Sequence, residues 1–185
     1  MQEGLPNEIV GQDLKGGHSS SSSNSLHSAW VSRKIDALQS LLERGAHVDE
    51  RSGGLNSTPL HLASYGGEFE IAKTLIKYGA DVNSRNDVGR TPLHYAAQTG
   101  LVDLLQLLLE NGADIHATER KGYTALHIAS GHGHLKSVRL LLERGANVQI
   151  RNGYGRTASQ HALLYGHRHI AQLLSECDVG GVTVL

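Results

Sequence analysis

The chain has 185 residues, a formal net charge of -1 and 39% hydrophobic residues. That length allows one domain with a buried core, and the near-zero charge excludes any whole-chain attraction to nucleic acid or an acidic membrane surface. Cys177 is the only cysteine, which excludes an intrachain disulfide, while 22 glycines against 4% aromatic residues indicate many short elements joined by repeated turns.

Residues 1–24 run from MQEGLPNEIVGQD to GGHSSSSSN. A positive start followed by a long apolar run is missing, so no secretory signal is expected, and the composition predicts a flexible segment with no core of its own. From residue 25 a pattern sets in. SLHSAW (25–30) and IDALQSLLERGAHVD (35–49) are followed by TPLHLA at Thr58, TPLHYA at Thr91, TALHIA at Thr124 and a decayed TASQHA at Thr157. Each of the last three steps is 33 residues. The intervening stretches EFEIAKTLIKYGADVN, LVDLLQLLLENGADIH and HLKSVRLLLERGANVQ also match one another.

One unit reads directly. Thr91 suits a helix N-cap and Pro92 the first helical position, where a missing N–H is harmless. Leu93, Ala96 and Ala97 then make a short inner helix with small side chains, and Gly100 ends it. A leucine-rich second helix over about 101–110 is closed by Gly112, and the stretch ADIHATERKGY predicts a projecting hairpin finger. Helices this short are marginal alone and cannot cover their own leucines, so neighbouring units must stack.

The 33-residue period and the T-P-L-H-x-A signature resemble the ankyrin repeat family over roughly four fifths of the chain. The resemblance implies an all-α solenoid of helix-turn-helix units with β-hairpin fingers. Its repeats fall at about 25–57, 58–90, 91–123 and 124–156, with a degraded capping repeat at 157–178 and a tail at 179–185. Ala158, Ser159 and Gln160 stand where the signature has proline, leucine and histidine, and Arg168 and Ser175 replace apolar residues, as suits a cap.

His61, His94 and His127 each lie three residues after Thr58, Thr91 and Thr124, within reach of the threonine across the first helical turn. A residue that recurs at every period without catalytic partners is read as architecture, and the resemblance implies the same part; His27 matches it in the first repeat. HGH (132–134) and HRH (167–169) bring imidazoles close in sequence, but a zinc site needs three or four ligands and the chain has one cysteine, so no metal and no cofactor are expected. The chain contains no G-x-S-x-G and no phosphate-cradling glycine loop, so no enzyme activity is expected.

Specificity in such arrays lies on the surface that varies between repeats. The resemblance places that surface on the concave side, made of fingers and exposed inner-helix residues. The fingers ERSGGLNS (50–57), SRNDVGR (84–90), ATERKGY (117–123) and IRNGYGR (150–156) hold seven basic residues, Arg51, Arg85, Arg90, Arg120, Lys121, Arg151 and Arg156. Three acids oppose them, Glu50, Asp87 and Glu119, leaving a surplus of four positive charges. Tyr123 and Tyr154 interleave with the cations, and Tyr65, Gln98, Thr99, His132 and Tyr165 are expected along the inner helices. Arginine and tyrosine are the residue types that most often anchor interfaces, although single exposed arginines are also commonly solvated and worth little. As a set they point to an acidic protein partner, and four charges spread over four fingers argue against a nucleic-acid partner.

The expected function is therefore a non-enzymatic interaction module or adaptor in the cytoplasm or nucleus. An alternative is the recognition segment of a larger enzyme, since LNSTPLHLA (55–63) resembles the ankyrin segments of DHHC palmitoyltransferases, although this chain carries no DHHC motif. LLQLLL (104–109), the longest apolar cluster, is too short to cross a bilayer, so no membrane insertion is expected. Two modification or docking readings remain. LIKYGADVN resembles sites of asparaginyl hydroxylation, with Asn83 as acceptor or simply as a turn residue. The terminal VTVL fits the pattern that a PDZ domain takes as an added strand.

Overall fold

The computed structural model describes residues 35–180; the segment 1–24, His27 and the terminal VTVL lie outside the described residues. In chain order the helices are α1 (Ile35–Glu43), α2 (Pro59–Gly66), α3 (Phe69–Lys77), α4 (Pro92–Thr99), α5 (Val102–Glu110), α6 (Ala125–Gly131), α7 (Leu135–Glu143), α8 (Ala158–Leu164) and α9 (Arg168–Gly180).

Local chemistry sets the inner helices. Thr58, Thr91, Thr124 and Thr157 are N-caps in extended conformation, each completing a capping box with the residue three positions on. Pro59 and Pro92 occupy the first turn of α2 and α4. Gly100 closes α4 at φ 75°, a left-handed conformation that suits glycine. A side chain there would also collide with the next repeat, because a Cβ on Gly100 would lie 2.5 Å from His134 Nδ1.

The inner helices α2, α4, α6 and α8 pack side by side, and α1, α3, α5 and α7 form a second layer behind them. One continuous core lies between the layers, from Leu38 and Leu42 through Leu75, Leu108 and Leu141 to Leu174. Ala63, Ala96, Ala129 and Ala162 are fully buried where inner helices meet, which lets their backbones approach closely. Ser137 breaks the pattern. It sits in the file of Ile71, Leu104 and Ile170, is fully buried, and its hydroxyl has no hydrogen-bond partner.

The expected hairpin fingers are tight turns, with one isolated bridge, Ser52–Ser57, and no strands among the described residues. In the second, third and fourth fingers a backbone bond closes each loop: Asn86 N–H to Arg90 O (3.0 Å), Glu119 N–H to Tyr123 O (3.0 Å) and Asn152 N–H to Arg156 O (2.9 Å). Loops this short hold no room for a second ladder rung. One backbone N–H of each finger bonds sideways to the finger before: Asp87 N–H to Leu55 O (2.9 Å), Arg120 N–H to Val88 O (3.0 Å) and Gly153 N–H to Lys121 O (2.7 Å). The fingers thus form one row.

At the C-terminal end α8 keeps its cap through Gln160, whose Oε1 accepts from Thr157 N–H at 3.0 Å. Ser159 donates to Ala171 O (3.0 Å) and lies 3.0 Å from Ser175 Oγ, so hydroxyl contacts join α8 to α9 where Leu60, Leu93 and Leu126 pack in the other repeats. The end face is not wholly polar: Leu163 and Leu164 are 55% and 49% exposed.

Two outcomes follow from this packing. Among the described residues, 157–177 have a neighbour on one side only and should open first, with 58–123 protected by about 2 kcal/mol or more, the lower range for one lost buried leucine. Hydrogen exchange read by mass spectrometry tests this, and uniform protection along the stack would contradict it. Ser137→Ala removes a buried hydroxyl that bonds nothing and should raise stability by about 1 kcal/mol in urea unfolding.

Candidate functional site

The recurring threonine–histidine pairs sit at the junction of inner helices and fingers. Thr91 N–H and Thr91 Oγ1 approach His94 Nδ1 at 3.1 and 2.8 Å. A backbone N–H can only donate, so Nδ1 is the acceptor and the ring proton is on Nε2, which donates to Tyr123 O at 3.0 Å. His61 repeats this between Thr58 and Arg90 O (2.9 Å), and His127 between Thr124 and Arg156 O (3.0 Å). Each imidazole therefore joins its own helix start to the finger one repeat ahead. Burial lowers the pKa of all three from 6.5 to about 4, and the carbonyl acceptors offset this only in part. Neutral, buried rings with both nitrogens engaged are poorly placed to act as general bases or metal ligands.

The later histidines make further ties. His134 Nε2 donates to Gln98 O (2.9 Å) and His167 Nε2 to Gly131 O (3.0 Å), each reaching back to the preceding inner helix. His161 bonds His127 O through Nδ1 at 3.0 Å. His132 donates Nδ1–H to Ile128 O (2.9 Å) and stacks on His134, and burial lowers its pKa. Among the described residues no three His, Cys, Asp or Glu side chains converge on a metal position.

The finger cations separate into two groups. Arg90, expected among the exposed charges, is only 8% exposed: its guanidinium donates to Gln98 Oε1 (2.7 Å) and lies 5.5 Å from the centre of the Tyr95 ring. Gln98 is buried with it. A large inner-helix tyrosine draws the arginine stem inward, which correction removes both residues from the freely accessible surface. Arg85 is exposed but bonds Thr118 O in the next finger, as Arg51 bonds Arg85 O at 2.8 Å. By contrast, Arg120, Lys121 and Arg151 are exposed, Arg151 curling onto Gly155 O at 2.8 Å. Tyr154 is 49% exposed and Arg156, half-buried, lies 5.8 Å from its ring centre.

Aromatic side chains line the inner face in two sets. Tyr65 meets Tyr95 edge-on at 6.0 Å. Tyr123 lies 4.9 Å from His161 and 6.4 Å from Tyr154, and His161 meets Tyr165 at 5.0 Å. Asn83 is apart from all of these, in the loop after α3. Its Nδ2 donates to Gly112 O (2.9 Å) and its Oδ1 accepts from Asp114 N–H (2.7 Å), so it clamps two repeats.

The sequence matches the family of ankyrin repeats, a three-copy unit, over residues 26–119 and 111–182. This chain belongs to the ankyrin repeat family. Ankyrin repeats are non-catalytic and serve protein–protein interaction. Among curated proteins the chain is similar to palmitoyltransferase ZDHHC17 of Rattus norvegicus and of Homo sapiens, 45% identical over 56 residues in each case, which is 30% of this chain and 9% of theirs. It is also 39% identical over 64 residues to palmitoyltransferase AKR1 of Kluyveromyces lactis, 35% of this chain and 8% of that one. The chain thus spans less than a tenth of the length of these relatives. Among the described residues no helix is long and apolar enough to cross a membrane.

Within this ankyrin stack, sequence reasoning did not single out Asn86 and Asn152. Their Oδ1 atoms accept two finger N–H groups each, at 3.0–3.2 Å, and so shape the turns. Their signal was present as an R-N pair followed by glycine in two fingers. The arginine contacts between fingers left a fainter trace, the 34-residue step from Arg51 to Arg85.

Removing one imidazole tests the junction. His94→Ala leaves Thr91 N–H without its acceptor, removes one of the two donors to Tyr123 O, and should cost about 1–3 kcal/mol. His94→Gln should cost less, since Gln160 shows that glutamine preserves the cap. Acid should act in the same place. Unfolded imidazoles titrate near 6.5 and these folded ones near 4, so across that window the unfolded chain binds more protons. Stability is full above the window and falls as pH drops through it, by up to ~1.4 kcal/mol per unit per histidine. Urea midpoints taken from neutral pH downward should fall more steeply for the natural sequence than for His94→Gln.

Proposed function

We propose that this chain is a non-enzymatic adaptor module that holds an acidic protein partner on its concave face. The observation that carries the reading is the set of exposed cations Arg120, Lys121 and Arg151 beside the half-exposed Tyr154 on neighbouring finger tips. Arginine and tyrosine give an interface both charge and flat apolar contact, and clustered cations accelerate encounter with carboxylates. Arg85 and Arg156, Tyr123 and the inner-face residues Tyr65, His132 and Tyr165 flank this set as further contact positions. A cytoplasmic or nuclear location goes with the reading, and VTVL is proposed as a separate PDZ-type ligand.

A second reading makes the chain the recognition segment of a larger palmitoyltransferase-like enzyme, supported by its likeness to ZDHHC17 and AKR1 proteins. The mass of the endogenous protein separates the two, because the enzyme reading requires a far larger chain. Charge reversal tests the shared binding face. Arg120→Glu, Lys121→Glu and Arg151→Glu together should weaken association with a captured partner at least tenfold and flatten its salt dependence, while leaving the melting temperature nearly unchanged. Reversal of Glu43, Glu110 and Glu143, exposed at the ends of the second-layer helices, should be tolerated. If only the second trio blocks binding, the concave reading fails.

A further inference from the structure

We infer that the acidic partner is an extended segment held by the C-terminal half of the concave face, on the fingers at 117–123 and 150–156 beside α8, and not along the whole row. This rests on the reading of an acidic partner and adds where the segment lies and what it must carry.

Charge is unevenly available along the row. In the first two fingers three cations face two acids, and each of those cations is engaged within the fold. Arg51 bonds Arg85 O and Ser84 Oγ (3.3 Å), Arg85 bonds Thr118 O, and Arg90 is buried against Gln98 and Tyr95. In the last two fingers four cations face a single acid, Glu119, whose carboxylate already accepts from Lys121 N–H (2.8 Å) and Tyr123 N–H (3.3 Å). Net charge therefore rises from +1 (3−2) over the first two fingers to +3 (4−1) over the last two, where Arg120 and Lys121 are exposed and Arg151 reaches only Gly155 O of its own finger.

A second observation marks the same place. Asn86 and Asn152 occupy equivalent finger positions, and both use Oδ1 to hold their turn. Asn86 Nδ2 then donates to Tyr95 OH at 2.9 Å. His161 stands at Tyr95's position in the fifth repeat, and Asn152 Nδ2, on a residue only 5% exposed, has no hydrogen-bond partner. A buried amide donor without an acceptor is unfavourable, and a carboxylate or peptide carbonyl oxygen reaching it would satisfy it. Tyr154, exposed on the same finger, and the half-buried Tyr123 beside it offer flat surface to an apolar side chain. The platform is stiff as well: Gly153 N–H bonds Lys121 O, and a Cβ on Gly122 would come within 2.8 Å of Gly153 N. The segment is thus one with carboxylates on both sides of an apolar residue.

The test is an NMR titration of the isotope-labelled chain with a short acetylated peptide of glutamates around a central leucine pair, and with its lysine counterpart. The glutamate peptide should shift backbone amides of 119–122 and 151–156 and the side-chain amide of Asn152, with little change at Asn86. The lysine peptide should shift none of them. Arg120→Glu with Lys121→Glu should weaken the glutamate peptide at least tenfold, whereas Lys136→Glu with Arg139→Glu, exposed on α7, should not. Shifts centred on 50–57 and 84–90 would overturn the placement while leaving an acidic partner standing. Absence of any finger shift with the glutamate peptide would overturn the acidic reading, and this inference with it.

Discussion

Leu42, Leu75, Leu108, Leu141 and Leu174 stand 33 residues apart and form one buried file through the second layer of helices. Helices of seven to nine residues, the range of α1 to α8, cannot bury such a side chain by themselves, so Leu75, Leu108 and Leu141 are covered by the pair before and the pair after. Stability is then a property of interfaces. The same constraint demands small residues between inner helices, and it makes an interruption such as Ser137 a local cost with nothing nearby to offset it.

Polar contacts between repeats follow from that closeness. Once inner helices lie backbone to backbone, an imidazole at the start of one reaches the last carbonyl of the finger ahead, and an arginine in one finger reaches a carbonyl in the next. Both need specific charge states. The imidazoles hold their bonds as neutral rings, because burial disfavours the imidazolium and Nδ1 must accept from threonine. Seven of the described histidines, His61, His94, His127, His132, His134, His161 and His167, are therefore explained by packing within and between repeats.

Function is left to what the fold does not engage. The N-terminal fingers turn their arginines inward or sideways, whereas Arg120, Lys121 and Tyr154 stay accessible on a row whose spacing is fixed by backbone bonds. The finger row thus differs from end to end in charge and burial although the repeats beneath it are alike. Repetition supplies the platform, and departures from repetition supply the chemistry.

The sequence by itself determined the period, the helix starts at threonine and proline, the glycine stops and the stacked all-α architecture, because these depend on contacts within one unit or between identical neighbours. His94 and Thr91 were legible for the same reason, lying one helical turn apart. Whether a given finger arginine is free was decided only by tertiary structure. Arg90 is buried because Tyr95 stands on the helix beneath it, while Arg120, at the finger position that Asp87 holds one repeat earlier, stays exposed. Asn152 lacks an acceptor because the residue nine positions on is His161 and not a second tyrosine. Such outcomes depend on pairs of side chains from different elements, and the spacing along one chain carries no record of which atoms meet.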